Sequence, residues 1–281
     1  MDYRIMQLSD WALHLLKNKQ NGVIHSVYRK TINMNIDGSL LALQACHSPM
    51  SPLSLLSNLD EETMAGLHIT AGMPVKITSS SVVIGSCEFY YDSAECFSCE
   101  LHNALQPTEI QTLKKRLETV LMSAHTNGFD LIFQSYRDPS VDLPSLILEG
   151  ARNYLSQAYY FIQHRNDTSA SAFLARLIGL GIGLTPSGDD FLCGVLAGLI
   201  LSGASSSHFA EILKKEIADS LSNTNDISCA FLQCALNDRF SRAVHSLVEL
   251  PEASKILSTF REIGHSSGIA TLCGIYFALN L

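Results

Sequence analysis

Two adjacent carboxylates, Asp189 and Asp190, stand in a stretch almost devoid of charge. Residues 168–204 contain Arg176 and these two aspartates as their charged residues, and residues 263–281 contain none. Burying a carboxylate is costly unless it is paired, binds a metal or takes up a proton. The surrounding run, Gly179-Leu-Gly-Ile-Gly-Leu-Thr-Pro-Ser-Gly-Asp-Asp-Phe-Leu192, reads as a glycine-rich turn entering a helix. Thr185 is expected as the cap and Pro186 as the first helical residue. Ser187, Gly188, Asp189 and Asp190 then fill the first turn, where a helix N-terminus favours anions. The plain reading of the aspartates is pairing with the helix dipole. The functional reading is a cleft in which they accept from ligand N–H groups, or in which Asp190 holds Mg²⁺ bridging to a phosphate. Neighbours on a helix diverge by about 100°, so the two are not an equivalent pair.

A second polar turn, Gly264-His-Ser-Ser-Gly268, leads into an uncharged helix. His265 is a candidate general base or phosphate contact, and Ser266 or Ser267 a cap. A third segment, Asn223-Thr-Asn-Asp226-Ile-Ser228, is a helix start capped by Thr224, Asn225 or Asp226, with Ser228 in its first turn. Other motifs carry less. The run lacks the Lys of a phosphate-binding P-loop, and Leu184 stands where a dinucleotide fingerprint needs glycine. Cys96-Phe-Ser-Cys99 has metal spacing but no second ligand pair, and alternation in a strand sends the two thiols to opposite faces.

The elements that must position these residues fall into two classes. Short strands are expected at 23–28, 31–36, 39–45, 74–78, 82–84, 87–91 and 96–100, with Asp37-Gly38 as a tight turn and Ser48–Leu59 as a loop or short helix. Beyond Pro107 the period becomes helical. Thr108 with Gln111 fits a capping box, and helices are expected at 145–164, 169–178, 207–222, 227–237, 240–248 and 252–262. Segments 186–202 and 267–280 are apolar all round, which marks buried helices. Gly194 and Gly198, four apart, fit close helix packing. The expected fold class is α+β: a β-rich sandwich or barrel-like domain over residues 1–104, then a mostly helical domain over 105–281 that carries the site.

The whole chain has 281 residues and a net charge of −8, with 16% charged residues. An acidic chain without a Lys/Arg block is not expected to bind nucleic acid. No apolar run reaches membrane-spanning length, and the N-terminal residues lack a signal-peptide pattern. Eight cysteines, several in apolar helical patterns, need no disulfides. A cytoplasmic setting is the default expectation.

The segment 183–192, the later Thr224…Ile227-Ser228…Phe231-Leu232 and Gly264–Gly268 together resemble the AllH (YlbF) family, long described as a domain of unknown function. The resemblance implies a subunit of oxamate carbamoyltransferase, encoded with enzymes of anaerobic allantoin degradation and acting with two other subunits. It implies interconversion of oxalurate plus phosphate with oxamate plus carbamoyl phosphate. On that footing Asp189, Asp190 and His265 are catalytic candidates. Thr185, Ser187, Gly188, Thr224, Ser228, Ser266 and Ser267 are candidates for binding a small anionic substrate. Two competing readings are a non-catalytic ligand-binding or scaffolding subunit and a metal-dependent hydrolase of ureido compounds.

Overall fold

The computed structural model describes residues 3–264 and 266–281. The chain forms two compact units, residues 1–99 and 100–281. The first is built on β1 (Tyr3–Ser9), α1 (Asp10–Asn18), β2 (Asn21–Tyr28), β3 (Thr31–Ile36), β4 (Ser39–Gln44), β5 (Ser54–Ser57), α2 (Glu61–Ala65), β6 (Pro74–Ile77), β7 (Ser81–Ile84), β8 (Cys87–Tyr90) and β9 (Glu95–Phe97). The strand order is β5-β4-β3-β2-β6-β7-β8-β1-β9, and β5 also pairs with β1. That pairing closes eight strands into a barrel, so the expected β-rich part is a barrel and not a sandwich. Strand β9 extends the edge of β8: β8 pairs with Tyr3 and Arg4 of β1, and β9 with Gln7–Ser9.

Closure removes the exposed edges that an open sheet must protect. Alternation sends Ile32, Met34 and Ile36 of β3, and Val82 and Ile84 of β7, into one buried core, which Ile5, Leu8 and Phe89 join. The Asp37-Gly38 turn joins β3 to β4 with both residues at positive φ, and Gly38 N–H donates to Asn35 Oδ1 at 2.8 Å. The segment expected as a loop or short helix, 48–59, instead contains β5. Its residues Ser54–Ser57 are all buried, without the alternation that identifies a strand packed on one face. Strand β1 and helix α1 were not expected either. Ser9 ends the strand and caps the helix, accepting from Ala12 N–H at 2.8 Å.

The second unit contains α3 (Pro107–Ser123), α4 (Phe129–Arg137), α5 (Leu146–Gln163), α6 (Asp167–Ala175), α7 (Ser187–Leu201), α8 (His208–Asp219), α9 (Asp226–Leu236), α10 (Arg242–Ser246), α11 (Ala253–Arg261) and α12 (Ser267–Leu279). The capping box of α3 is formed by Gln106 and Glu109, two residues before the expected Thr108–Gln111 pair, and Gln106 N–H donates to Glu109 Oε2 at 2.8 Å. Pro107 sets that start, because proline is suited to the first helical position. Helix α4 was not expected, although Phe129, Ile132 and Phe133 form a short buried stripe at helical spacing just after Gly128.

Helices α7 and α12 are the buried pair at the centre of this unit. Their contacts run in order from Thr185–Ser267, through Gly194 against Thr271, to Gly198 against Ala278. The two helices are therefore parallel, with both N-termini at one end. A Cβ on Gly194 would lie 2.0 Å from Thr271 O, and one on Gly274 would lie 1.9 Å from Phe191 O. The glycines let the two backbones touch, as the Gly194/Gly198 spacing implied. Among the described residues no helix is long and apolar enough to cross a membrane.

Candidate functional site

The parallel packing of α7 and α12 brings two of the three sequence motifs together. Thr185, just before α7, and Ser267, the first residue of α12, share a hydrogen bond of 2.9 Å between their hydroxyls. Thr185 therefore does not cap α7. Pro186 occupies that position, and its carbonyl accepts from the amides of Asp189 and Asp190 at 2.9 and 3.2 Å. The amide of Gly188 donates to Leu180 O at 2.9 Å. Three first-turn amides are thus used within the chain. This helix end offers a ligand its dipole and the nearby hydroxyls more than a row of open N–H groups.

The two aspartates are separated by environment as sharply as by direction. Asp189 is 1% exposed. Its Oδ1 accepts from Gly179 N–H at 2.8 Å, and its Oδ2 accepts from Thr224 Oγ1 at 2.5 Å and Ser228 Oγ at 2.6 Å. One carboxylate thus ties the glycine-rich turn, the 224 turn and α9. This is where the structure places the third motif: Thr224 and Ser228 point at Asp189. Asn225 caps α9, accepting from the amides of Ile227 and Ser228 at 3.1 Å. Gly179 holds φ +76°, and a Cβ there would lie 2.3 Å from Asn223 O, so the tie requires glycine.

Asp190 faces the other way, toward the hydroxyls of Ser267 and Thr185. Its Oδ2 is sealed from solvent and has no hydrogen-bond partner among the described residues. Burial pushes this carboxyl up to about 7; the charge of Asp189 adds to the rise, and the Ser267 and Thr185 hydrogen bonds oppose it. A carboxyl in that range exchanges a proton near neutral pH, which suits general acid–base work. As a Mg²⁺ site Asp190 would contribute a single carboxylate, since Asp189 is turned away. No group of three His, Cys, Asp or Glu side chains able to hold a metal occurs among the described residues. His265 lies outside the described residues. Ser187 and Ser266 sit, half-buried, at the starts of α7 and α12.

One neighbour escaped sequence reasoning. Asp130, fully buried at the start of α4, accepts from Thr126 N–H at 2.9 Å, Thr126 Oγ1 at 2.5 Å and Gly128 N–H at 3.0 Å. Gly128 lies beside Ser266: a Cβ there would come within 3.8 Å of the Ser266 Cβ. A third helix start thus abuts the site. The available signal was Thr126-Asn-Gly-Phe-Asp130, a turn followed by a carboxylate that can bond back to it.

The nearby thiols are poor nucleophiles. Burial, reinforced by Asp190 and Asp189, pushes Cys193 well above its ordinary value; burial, reinforced by Asp130, does the same to Cys273. In the barrel unit, Cys96 lies on β9 and is exposed, whereas Cys99 lies beyond the end of that strand, is buried and donates to Asp10 Oδ1 at 2.8 Å, so the alternation expected along one regular strand does not relate the two. A cavity of about 370 Å³ lies along the C-terminal half of α12, between Phe133, Tyr136, Leu155, Tyr276 and Phe277. It is apolar and lies toward the opposite end of α12 from Asp190. Chemistry and cavity volume therefore point to different places, and the polar cluster carries the reactive groups.

Both parts of the chain match known families, while no solved structure matches it. The AllH family N-terminal domain matches residues 4–106, spanning the barrel, and the oxamate carbamoyltransferase subunit AllH family matches residues 177–279, spanning α7 through α12. Together these matches cover most of the chain, and the protein belongs to the AllH family of oxamate carbamoyltransferase subunits.

Proposed function

We propose that this subunit supplies part of the carbamoyl-transfer site, at the paired N-termini of α7 and α12. The observation that carries the reading is the Thr185–Ser267 contact between two parallel helix starts, with the sealed, unpartnered Asp190 Oδ2 beside it. Two positive helix ends favour an anion, and the hydroxyls of Thr185, Ser187, Ser266 and Ser267 are donors of the right kind for phosphate or a carboxylate.

In the proposed reaction a phosphate oxygen attacks the carbamoyl carbon of oxalurate. A C–O bond forms, and the bond from that carbon to the oxamate nitrogen breaks. The departing nitrogen needs a proton, and the attacking hydrogen phosphate must lose one. Protonated Asp190 gives its proton to the nitrogen and recovers one from the phosphate. Asp189 touches no substrate in this scheme. It positions the turn before α7 by holding Gly179, Thr224 and Ser228.

The test is Asp190→Asn in the complex reconstituted with its other subunits. Asparagine keeps the shape and cannot relay the proton, so turnover should fall about 100-fold or more with assembly intact. Full activity of the Asp190→Asn complex would overturn the assignment.

A further inference from the structure

The turn before α7 presents an apolar tip to solvent. Ile182 is 85% exposed and Leu184 is 49% exposed. Its base is fixed: Gly179 N–H is held by Asp189 Oδ1 at 2.8 Å, and Leu180 O accepts from Gly188 N–H at 2.9 Å. Between these anchors nothing among the described residues lies within 4 Å of a Cβ placed on Gly183. A tethered turn that holds two branched aliphatic side chains in water loses the stabilisation their burial would give. The tip is also continuous with the candidate site, because Leu184 immediately precedes Thr185.

The charge balance of that site is incomplete. Segments 179–190, 224–228 and 266–274 contain no Lys or Arg. Arg176 lies over the rings of Tyr154 and Phe173, and Arg261 donates to Ala124 O at 2.9 Å. Two helix ends supply roughly one positive charge between them, about half a charge each. Phosphate with a substrate carboxylate brings roughly three negative charges at neutral pH, counting phosphate as about two. The chain's own net charge of −8 adds to the repulsion.

We propose that another subunit of the complex docks on the Ile182–Leu184 tip and places a basic side chain against the Thr185–Ser267 site, completing it in trans. The partner surface is an apolar pocket rimmed by Lys or Arg, complementary to the tip and to the uncompensated anion behind it. The proposal rests on the reading of this site given above, and assembly measured without turnover separates the two.

The experiment compares wild type with the double variant Ile182→Ser/Leu184→Ser, mixed with the remaining subunits and followed by sedimentation. Circular dichroism and melting of the isolated variant should match wild type closely, because Ile182 lies in solvent and Leu184 is half exposed. The dissociation constant for assembly should rise about tenfold or more, as for loss of apolar anchors at an interface centre. Inorganic phosphate, titrated calorimetrically, should bind the assembled complex at least about tenfold more tightly than the isolated chain, with a steeper salt dependence. Unchanged assembly of the double variant overturns the docking surface. Equal phosphate affinity of chain and complex overturns the supply of charge in trans. A wild-type homodimer that the double variant dissociates would make a second copy the occupant and refute the proposal.

Discussion

Replacing Asp190 by Asn should change how stability depends on pH, and the effect can be worked from the site. Burial raises this carboxyl from 3.8 to about 7 in the folded chain. Each pH unit separating the folded and unfolded values is worth about 1.36 kcal/mol. The folded state therefore holds its proton more tightly than the unfolded chain, by roughly 4 kcal/mol. Between these values the native state binds more protons than the unfolded state, so stability falls as pH rises. The contribution is fully present below pH 3.8 and is gone above about 7. Asparagine cannot ionise and removes this dependence. Its amide meets the same unpartnered surroundings as Oδ2, which adds a cost of about 1–3 kcal/mol at every pH. Urea unfolding of both proteins from about pH 5 to about pH 9 separates these terms. The stability of Asp190→Asn relative to wild type should rise by a few kcal/mol up to about pH 7 and then level off. Parallel profiles would refute the buried, protonated carboxyl, whatever the offset between them.

The same proton should appear in turnover: kcat/KM of the reconstituted complex should fall as pH rises through about 7, because the acid form of Asp190 is then lost. Asp189→Ala should destabilise the helical unit by about 3 kcal/mol or more in urea melts, since the Gly179 amide and the Thr224 and Ser228 hydroxyls lose their shared acceptor. Gly194→Ala should cost about 1–3 kcal/mol by the same measure, because its methyl would meet Thr271 O at 2.0 Å and push α7 from α12. An alkylating reagent applied to the native chain should label exposed Cys96 first and leave Cys99, Cys193 and Cys273 protected, read by peptide mass mapping.

Much of the fold was legible because its periods are local properties. Alternation placed β3, and the Asp37-Gly38 pair placed the turn to β4, since a tight hairpin needs positive φ at both central residues. The all-round apolar character of α7 beyond its first turn, and of α12, marked them as buried before any packing was known. Strand β5 was missed because a strand buried on both faces carries no alternation, and its neighbours Pro49 and Pro52 resemble loop residues. The closing pair β1–β5 joins residues about fifty positions apart, and no local pattern records it.

The sequence by itself determined that Asp189, Asp190 and the serine turn at 266–267 stand at the starts of two otherwise apolar helices, because charge, glycine and helix-start chemistry are written residue by residue. Only the tertiary structure decided what each carboxylate does. Parallel packing through Gly194 and Gly274 joins the two helix starts, and the roughly 100° turn between neighbours then sends Asp189 to three donors on other segments and leaves Asp190 with one oxygen sealed and unpartnered among the described residues. A side chain's protonation depends on what surrounds it in space, and those surroundings come from segments distant in the chain.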